Sequence, residues 1–125
     1  MTIYLDTHAI VWLYGGQSKK FSEETLSRLE TEDLKFSPMA FLEIEYLSEI
    51  GRIKMNAEKI TDYLAAHLDL KLCSLPFGRV SAFAVHEKWT RDPFDRMIVA
   101  QARLGENYLL TKDEIIRAHY PRCID

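Results

Sequence analysis

Ile3-Tyr4-Leu5-Asp6-Thr7 is a short β-rich apolar run that ends in an acid and a hydroxyl. A strand covered on both faces reads this way, as a continuous apolar run rather than an alternation. Ala9 to Tyr14 then reads as a helix, and Gly15-Gly16 stops it. The same strand-to-helix unit recurs along the chain. Leu34-Lys35-Phe36 leads through Ser37-Pro38 into a helix over Met39–Ile50, and Leu70–Leu75 leads past Pro76 and Gly78 into one over Arg79–Lys88. Asn107–Leu110 is the last clear strand, with Cys123-Ile124 as a short final one. Further helices are opened by Ser22, running to about Glu32, by Asn56, over Ala57–His67, and by Asp92-Pro93, over Pro93–Leu104. There is no convincing hairpin signal. The alternation predicts an α/β fold, a parallel sheet of four to five strands flanked by helices, in one domain over residues 1–125.

Composition narrows the function. A chain of 125 residues supports one sizeable core, and 47% hydrophobic with 28% charged residues is a globular balance. No apolar run approaches the roughly 18 residues of a membrane span. The N-terminus has no basic region ahead of an apolar stretch, so no signal peptide and a cytoplasmic location are expected. Cys73 and Cys123 lack metal-ligand spacing and read as free thiols. A formal net charge of −3 argues against a nucleic-acid binder that relies on positive charge alone. Carboxylates that hold divalent cations would reconcile mild acidity with phosphate chemistry.

The acids are therefore the residues to follow. Strands of a parallel sheet end on one edge, where ligands bind, which brings Asp6 and Asp113 together. Helices that start at that edge add Asp92 and Asp95 from Asp92-Pro93-Phe94-Asp95. Here a plain alternative exists, because Asp92 fits an N-cap, Pro93 the first helical position, and Asp6 a cap as well. Glu43 falls inside the apolar arc formed by Met39, Leu42, Tyr46, Leu47 and Ile50, so it needs either a buried cationic partner or a metal. Four or five carboxylates in one pocket repel each other unless cations are bound or their pKa values rise. Oxygen-only ligation favours a hard ion, Mg²⁺ or Mn²⁺, which points to phosphoryl chemistry.

Four pieces of the sequence carry a resemblance that runs nearly its whole length. They are Tyr4-Leu5-Asp6-Thr7-His8-Ala9, Ser37-Pro38 through Glu43-Ile44, Arg91-Asp92-Pro93-Phe94-Asp95-Arg96 with Ala100-Gln101-Ala102, and Leu110-Thr111-Lys112-Asp113. In this order and spacing the chain resembles the PIN-domain ribonucleases, and most closely the VapC-type toxins of toxin–antitoxin pairs. The resemblance implies a five-stranded parallel sheet and Mg²⁺- or Mn²⁺-dependent endonucleolytic cleavage of RNA by a metal-activated water. It implies that Asp6, Glu43, Asp95 and Asp113 are the catalytic, metal-binding acids. Thr7 and Ser37 match hydroxyl positions that support the site, and Asp92 is a cap beside it. The implied partners are an RNA substrate, a cognate antitoxin and a second copy in a homodimer, with operator DNA reached only through the antitoxin. The competing reading is a catalytically weak PIN-like binding module that acts through a partner protein. A receiver-like or phosphatase-like domain is disfavoured, since no Asp-x-Asp follows the first strand.

Neighbouring residues leave alternatives open. Arg96, beside Asp95, is a phosphate contact or an ion-pair partner of a site acid, and Lys112 poses the same choice. His8 reads as a packing or capping residue at the strand–helix junction. Trp89 stacks on a base, or else anchors a loop or a dimer contact.

Overall fold

Thr2–Leu5 forms β1, and Ile3, Tyr4 and Leu5 are all buried, as a strand covered on both faces requires. The computed structural model describes all 125 residues. After β1 come α1 (Thr7–Tyr14), a 3-10 turn at Ser18–Lys20, α2 (Glu23–Thr31), β2 (Asp33–Phe36), α3 (Pro38–Glu49) and α4 (Ala57–Leu68). The second half runs β3 (Lys71–Leu72), α5 (Phe77–Ala84), α6 (Pro93–Leu104), β4 (Tyr108–Leu110), α7 (Glu114–His119) and β5 (Cys123–Ile124). The strands make one sheet in the order β3-β2-β1-β4-β5, with every neighbouring pair parallel. Ile3 lies opposite Leu34 on one side and Tyr108 on the other, so β1 is the central strand. The alternation of strand and helix thus gives the α/β architecture that it predicts, with five parallel strands within the expected four to five.

The caps follow the sequence closely. Ser22, Ser37, Asn56 and Asp92 each accept a backbone N–H of the helix they open, and Pro38 and Pro93 occupy first-turn positions. Three elements differ from expectation. The third strand shrinks to Lys71–Leu72, and the helix after it ends at Ala84 rather than Lys88. Beyond Ala84, Glu87 turns inward to meet Arg103, which draws the chain out of helical register (Nε–Oε2 2.7 Å). The six-residue α7 has no counterpart among the helices that the sequence predicts.

The larger difference is the buried face of α3. Ala40 and Ile44 face the core at 0% exposure, while Leu42, Tyr46 and Ile50 are exposed at 54%, 49% and 48%. The buried face is turned by about 100°, one residue step, from the apolar arc. Glu43 consequently stands at the border of the core, half-buried, rather than in its centre. In urea unfolding, Ile44→Ala should remove about 2–5 kcal/mol of stability and Leu42→Ala less than about 0.5 kcal/mol. The reverse order would place the sequence arc inward after all.

Candidate active site

The strand order locates a crevice before any side chain is considered. From β1 the chain moves outward through β2 to β3, then returns to the other side of β1 for β4 and β5. Connections leaving β1 and β4 diverge, which opens a gap at the carboxyl ends of these two strands. Asp6 follows β1 directly, and its N–H donates to the Leu110 carbonyl at 3.1 Å. Its side chain is 6% exposed; one oxygen accepts from the Ala9 N–H at 2.8 Å as the N-cap of α1, and the other accepts from the Thr111 hydroxyl. Thr111, fully buried at the end of β4, also accepts from the Asp113 N–H at 3.1 Å. One hydroxyl thereby ties both strand-end acids together. Asp113 caps α7 by accepting from Ile115 and Ile116 N–H at 2.8 and 3.0 Å.

The other acids arrive on helices. Glu43 sits in the second turn of α3 and accepts from the Thr7 hydroxyl. Asp92 caps α6 by accepting from the Phe94 and Asp95 N–H groups at 2.8 and 3.3 Å. Asp95 occupies the first turn of α6, and its carboxylate has no hydrogen-bond partner in the protein. Asp6, Glu43, Asp92, Asp95 and Asp113 line one cavity of about 150 Å³, with Thr7 and His8 at its edge and Ile98 and Ile116 behind. Larger hollows exist, such as the groove of about 340 Å³ along Phe36, Phe41, Leu70 and Leu72, but none gathers acids in this way.

No Lys, Arg or His forms an ion pair with any of the five. Burial, reinforced by Asp92, Asp113, Glu43 and Asp6 nearby, pushes Asp95 up to about 7. Burial lifts Asp6 to about 6 against the opposing hydrogen bonds from Thr111 and Ala9. Glu43 is raised by burial and then by the charge of Asp92, with Thr7 working the other way. Uncompensated carboxylate oxygens with raised proton affinity are a donor set suited to a hard divalent ion. No three of them are gathered into a closed ligand cage as they stand. Asp6, Glu43, Asp92 and Asp113 each have an oxygen engaged with a protein donor.

Of the other residues singled out in the sequence, Ser37, Arg96, Lys112 and Trp89 lie apart from the cavity, and His8 borders it. Ser37 accepts from the Met39 N–H as the cap of α3 and does not line the pocket, because α3's free amides claim its hydroxyl. Arg96 forms no ion pair with a site acid; its Nε donates to the Thr90 carbonyl at 2.8 Å. Lys112 donates to the Lys20 carbonyl at 2.5 Å, and the acid it approaches is Asp125 at 3.8 Å, not one that lines the cavity. Trp89 donates to Glu87 at 2.8 Å and stacks on His119, which makes it a loop anchor. His8 neither caps nor packs into the core; it is exposed on the rim of the cavity. Thr111 is the site residue the sequence reading passed over, since nothing local announces a hydroxyl that bridges two strands.

Raised carboxylate pKa values have a definite sign in stability. The folded state binds protons more tightly than the unfolded chain, so the contribution is complete below the ordinary carboxylate pKa and lost as pH rises through the folded values. The thermal midpoint of metal-free protein should therefore fall between about pH 4 and pH 7, and Asp95→Asn should flatten the decline. Calorimetric scans across that range check this; a parental midpoint that rises with pH would contradict the crowding.

Comparison with known proteins adds a family to the geometry. The sequence pattern of the PIN domain family matches residues 3–120. Ribonuclease VapC22 of Mycobacterium tuberculosis is 27% identical over 127 residues, spanning 98% of this chain and 96% of that protein. Among solved structures, VapBC2 from Rickettsia felis, bound to a DNA fragment from their promoter, aligns with a TM-score of 0.68 at 15% identity. VapBC-1 from nontypeable Haemophilus influenzae gives 0.65 at 17%. DNA-bound VapBC from Salmonella typhimurium gives 0.60 at 16%. Each of the three alignments covers 99% of this chain and 96% of the other. At these identities the structures establish a shared fold.

Proposed function

The chain belongs to the PIN-domain family, and from that premise we propose that it is an Mg²⁺- or Mn²⁺-dependent endoribonuclease, the toxin of a type II toxin–antitoxin pair. The observation that carries this reading is the set of five carboxylates, none in an ion pair, lining one cavity at the switch point of the sheet. Its cleaved substrate is RNA, as the name of the VapC22 relative suggests. Its partner is a cognate antitoxin, as the VapBC complexes suggest, and operator DNA is reached only through that antitoxin. The working form is a homodimer in the cytoplasm. No helix is long and apolar enough to cross a membrane.

In this mechanism Asp6, Glu43, Asp95 and Asp113 would hold the metal. A bound divalent ion supplies an activated water at neutral pH and stabilises the leaving oxygen of a phosphodiester. The protein's own part is positioning. Thr111 and the Ala9 N–H hold the two oxygens of Asp6, so its carboxylate has one orientation. Thr7 does the same for Glu43. The Asp92 cap fixes the first turn of α6, and Asp95 on that turn faces the cavity with free oxygens. Ile98 and Ile116 wall off the core side and limit bulk water there.

Cleavage of a labelled single-stranded RNA in Mn²⁺ tests the reading. Asp6→Asn, Glu43→Gln and Asp95→Asn should each cut the rate by at least about 100-fold with the fold intact by circular dichroism, and a chelator should abolish cleavage. Thr111→Val should cost about 10- to 100-fold by releasing Asp6 and the Asp113 N–H that its hydroxyl holds. Full activity in Asp6→Asn, with contaminating nuclease excluded, would leave the partner-acting binding module as the better account.

A further inference from the structure

A cavity lined by carboxylates repels the polyanion it is proposed to cut, and a net charge of −3 gives no general attraction to offset this. The strand must be held by groups beside the cavity, and two surfaces next to it differ sharply. On the α3–α6 side, Tyr46 stacks on Phe94 with centroids 6.5 Å apart, flanked by exposed Leu42 and Ile50. That ridge is apolar, and no cation lies over either ring. The α1 side is built otherwise. His8 lines the cavity, and its exposed ring leans on Trp12 one turn further along α1, with centroids 5.8 Å apart at 44°. Trp12 is half-buried against Phe21 and carries the Lys20 ammonium 4.7 Å over its ring. The Lys20 carbonyl in turn accepts from the Lys112 ammonium, which brings a second cation alongside, 3.8 Å from the Asp125 carboxylate.

Outward from the acids, the surface therefore presents a buttressed aromatic ring and then ammonium groups. Single-stranded nucleic acid is held by that combination, its bases stacking on rings and its phosphates meeting cations. We infer that the outer face of α1, with His8 as the stacking platform, Trp12 as its support and Lys20 with Lys112 as phosphate contacts, is where single-stranded RNA lies as it enters the acidic cavity. The inference rests on the ribonuclease reading. It favours RNA over a protein segment because His8, Lys19 and Lys20 are all exposed while the one large apolar group, Trp12, is largely covered. A protein-binding face would show the opposite balance, as the Leu42–Tyr46–Ile50 ridge does.

Steady-state cleavage of a mixed-sequence single-stranded RNA in Mn²⁺, alongside fluorescence anisotropy of the same RNA without metal, tests this. His8→Ala should raise KM by about tenfold with little change in kcat, and His8→Phe should restore it, since a flat ring rather than a proton is required. Lys20→Ala should raise KM and make binding less sensitive to salt. Parental KM in both His8→Ala and Lys20→Ala, from a parent that does cleave, would overturn the inference and leave the ribonuclease standing. So would a raised KM in Tyr46→Ala with α1 variants unaffected. His8→Ala that keeps its RNA affinity yet frees the chain from its co-expressed antitoxin would assign the face to protein and overturn it too. A parent that neither binds nor cleaves single-stranded RNA would bring down the ribonuclease reading itself, and the inference with it.

Discussion

Like charge crowded at the end of β1 and β4 is the constraint around which the fold is arranged. Asp6 is 6% exposed and has no cationic partner, a state that is unfavourable unless other dipoles replace the water it has lost. They come from backbone amides and hydroxyls. Asp6, Asp92 and Asp113 cap α1, α6 and α7, so three helix N-termini deliver their free N–H groups to one cavity. Each terminus carries a partial positive charge that lowers the cost of a nearby carboxylate. Capping and site-building are thus the same act here. The dipoles hold the acids in place without cancelling their charge, which an ion pair would do.

The contrast with Glu87 makes the point sharper. Glu87 is as buried as any acid in the cavity, at 3% exposure, yet it is paired with Arg103 through two hydrogen bonds and also accepts from Trp89. Arg103 reaches on to the His119 carbonyl, and Trp89 stacks on His119 at 5.0 Å. Every charge in that cluster is matched, which marks it as structural. Its effect is still felt at the cavity, because it pins the segment between α5 and α6 immediately before the Asp92 cap. From there the Thr90 hydroxyl accepts from the Asp92 N–H and the Thr90 carbonyl accepts from Arg96. A satisfied ion pair on one side of the segment fixes where the unsatisfied acids begin on the other.

How much of this was legible depended on whether the information is local. Strand–helix alternation, proline after a cap and acids at strand ends are all written in neighbouring residues, and they led to the parallel sheet and to Asp6, Asp92, Asp95 and Asp113. The face of α3 was misread because its exposed side is as apolar as its buried one; Leu42 and Tyr46 compete with Ala40 and Ile44 in any periodicity, and small Ala40 is easily outweighed. α7 was missed because six residues are too few for a helical period to register. Thr111 was passed over for a different reason. Its bond to Asp6 spans 105 positions and exists only because β4 pairs with β1. Such a contact is a property of the sheet.

The same distinction explains how an acidic chain keeps its site charged although cations adjoin Asp92, Asp95 and Asp113 in the sequence. Arg96 follows Asp95 and Lys112 precedes Asp113, so random side-chain placement would close ion pairs across the cavity and neutralise it. Instead, backbone carbonyls draw these cations off. Arg96 donates to the Thr90 carbonyl, Lys112 to the Lys20 carbonyl, and Arg117, one helical turn beyond Asp113, to the Thr111 carbonyl at 3.1 Å. A carbonyl satisfies a guanidinium or ammonium donor without offering a full negative charge, so the charge of Arg96 and Arg117 stays available at the periphery, while Lys112 also lies 3.8 Å from the Asp125 carboxylate. The result is a separation of sign, acids inward and cations outward, over a few residues of sequence. Net charge cannot express that separation, which is why a value of −3 is compatible with a surface that meets phosphate.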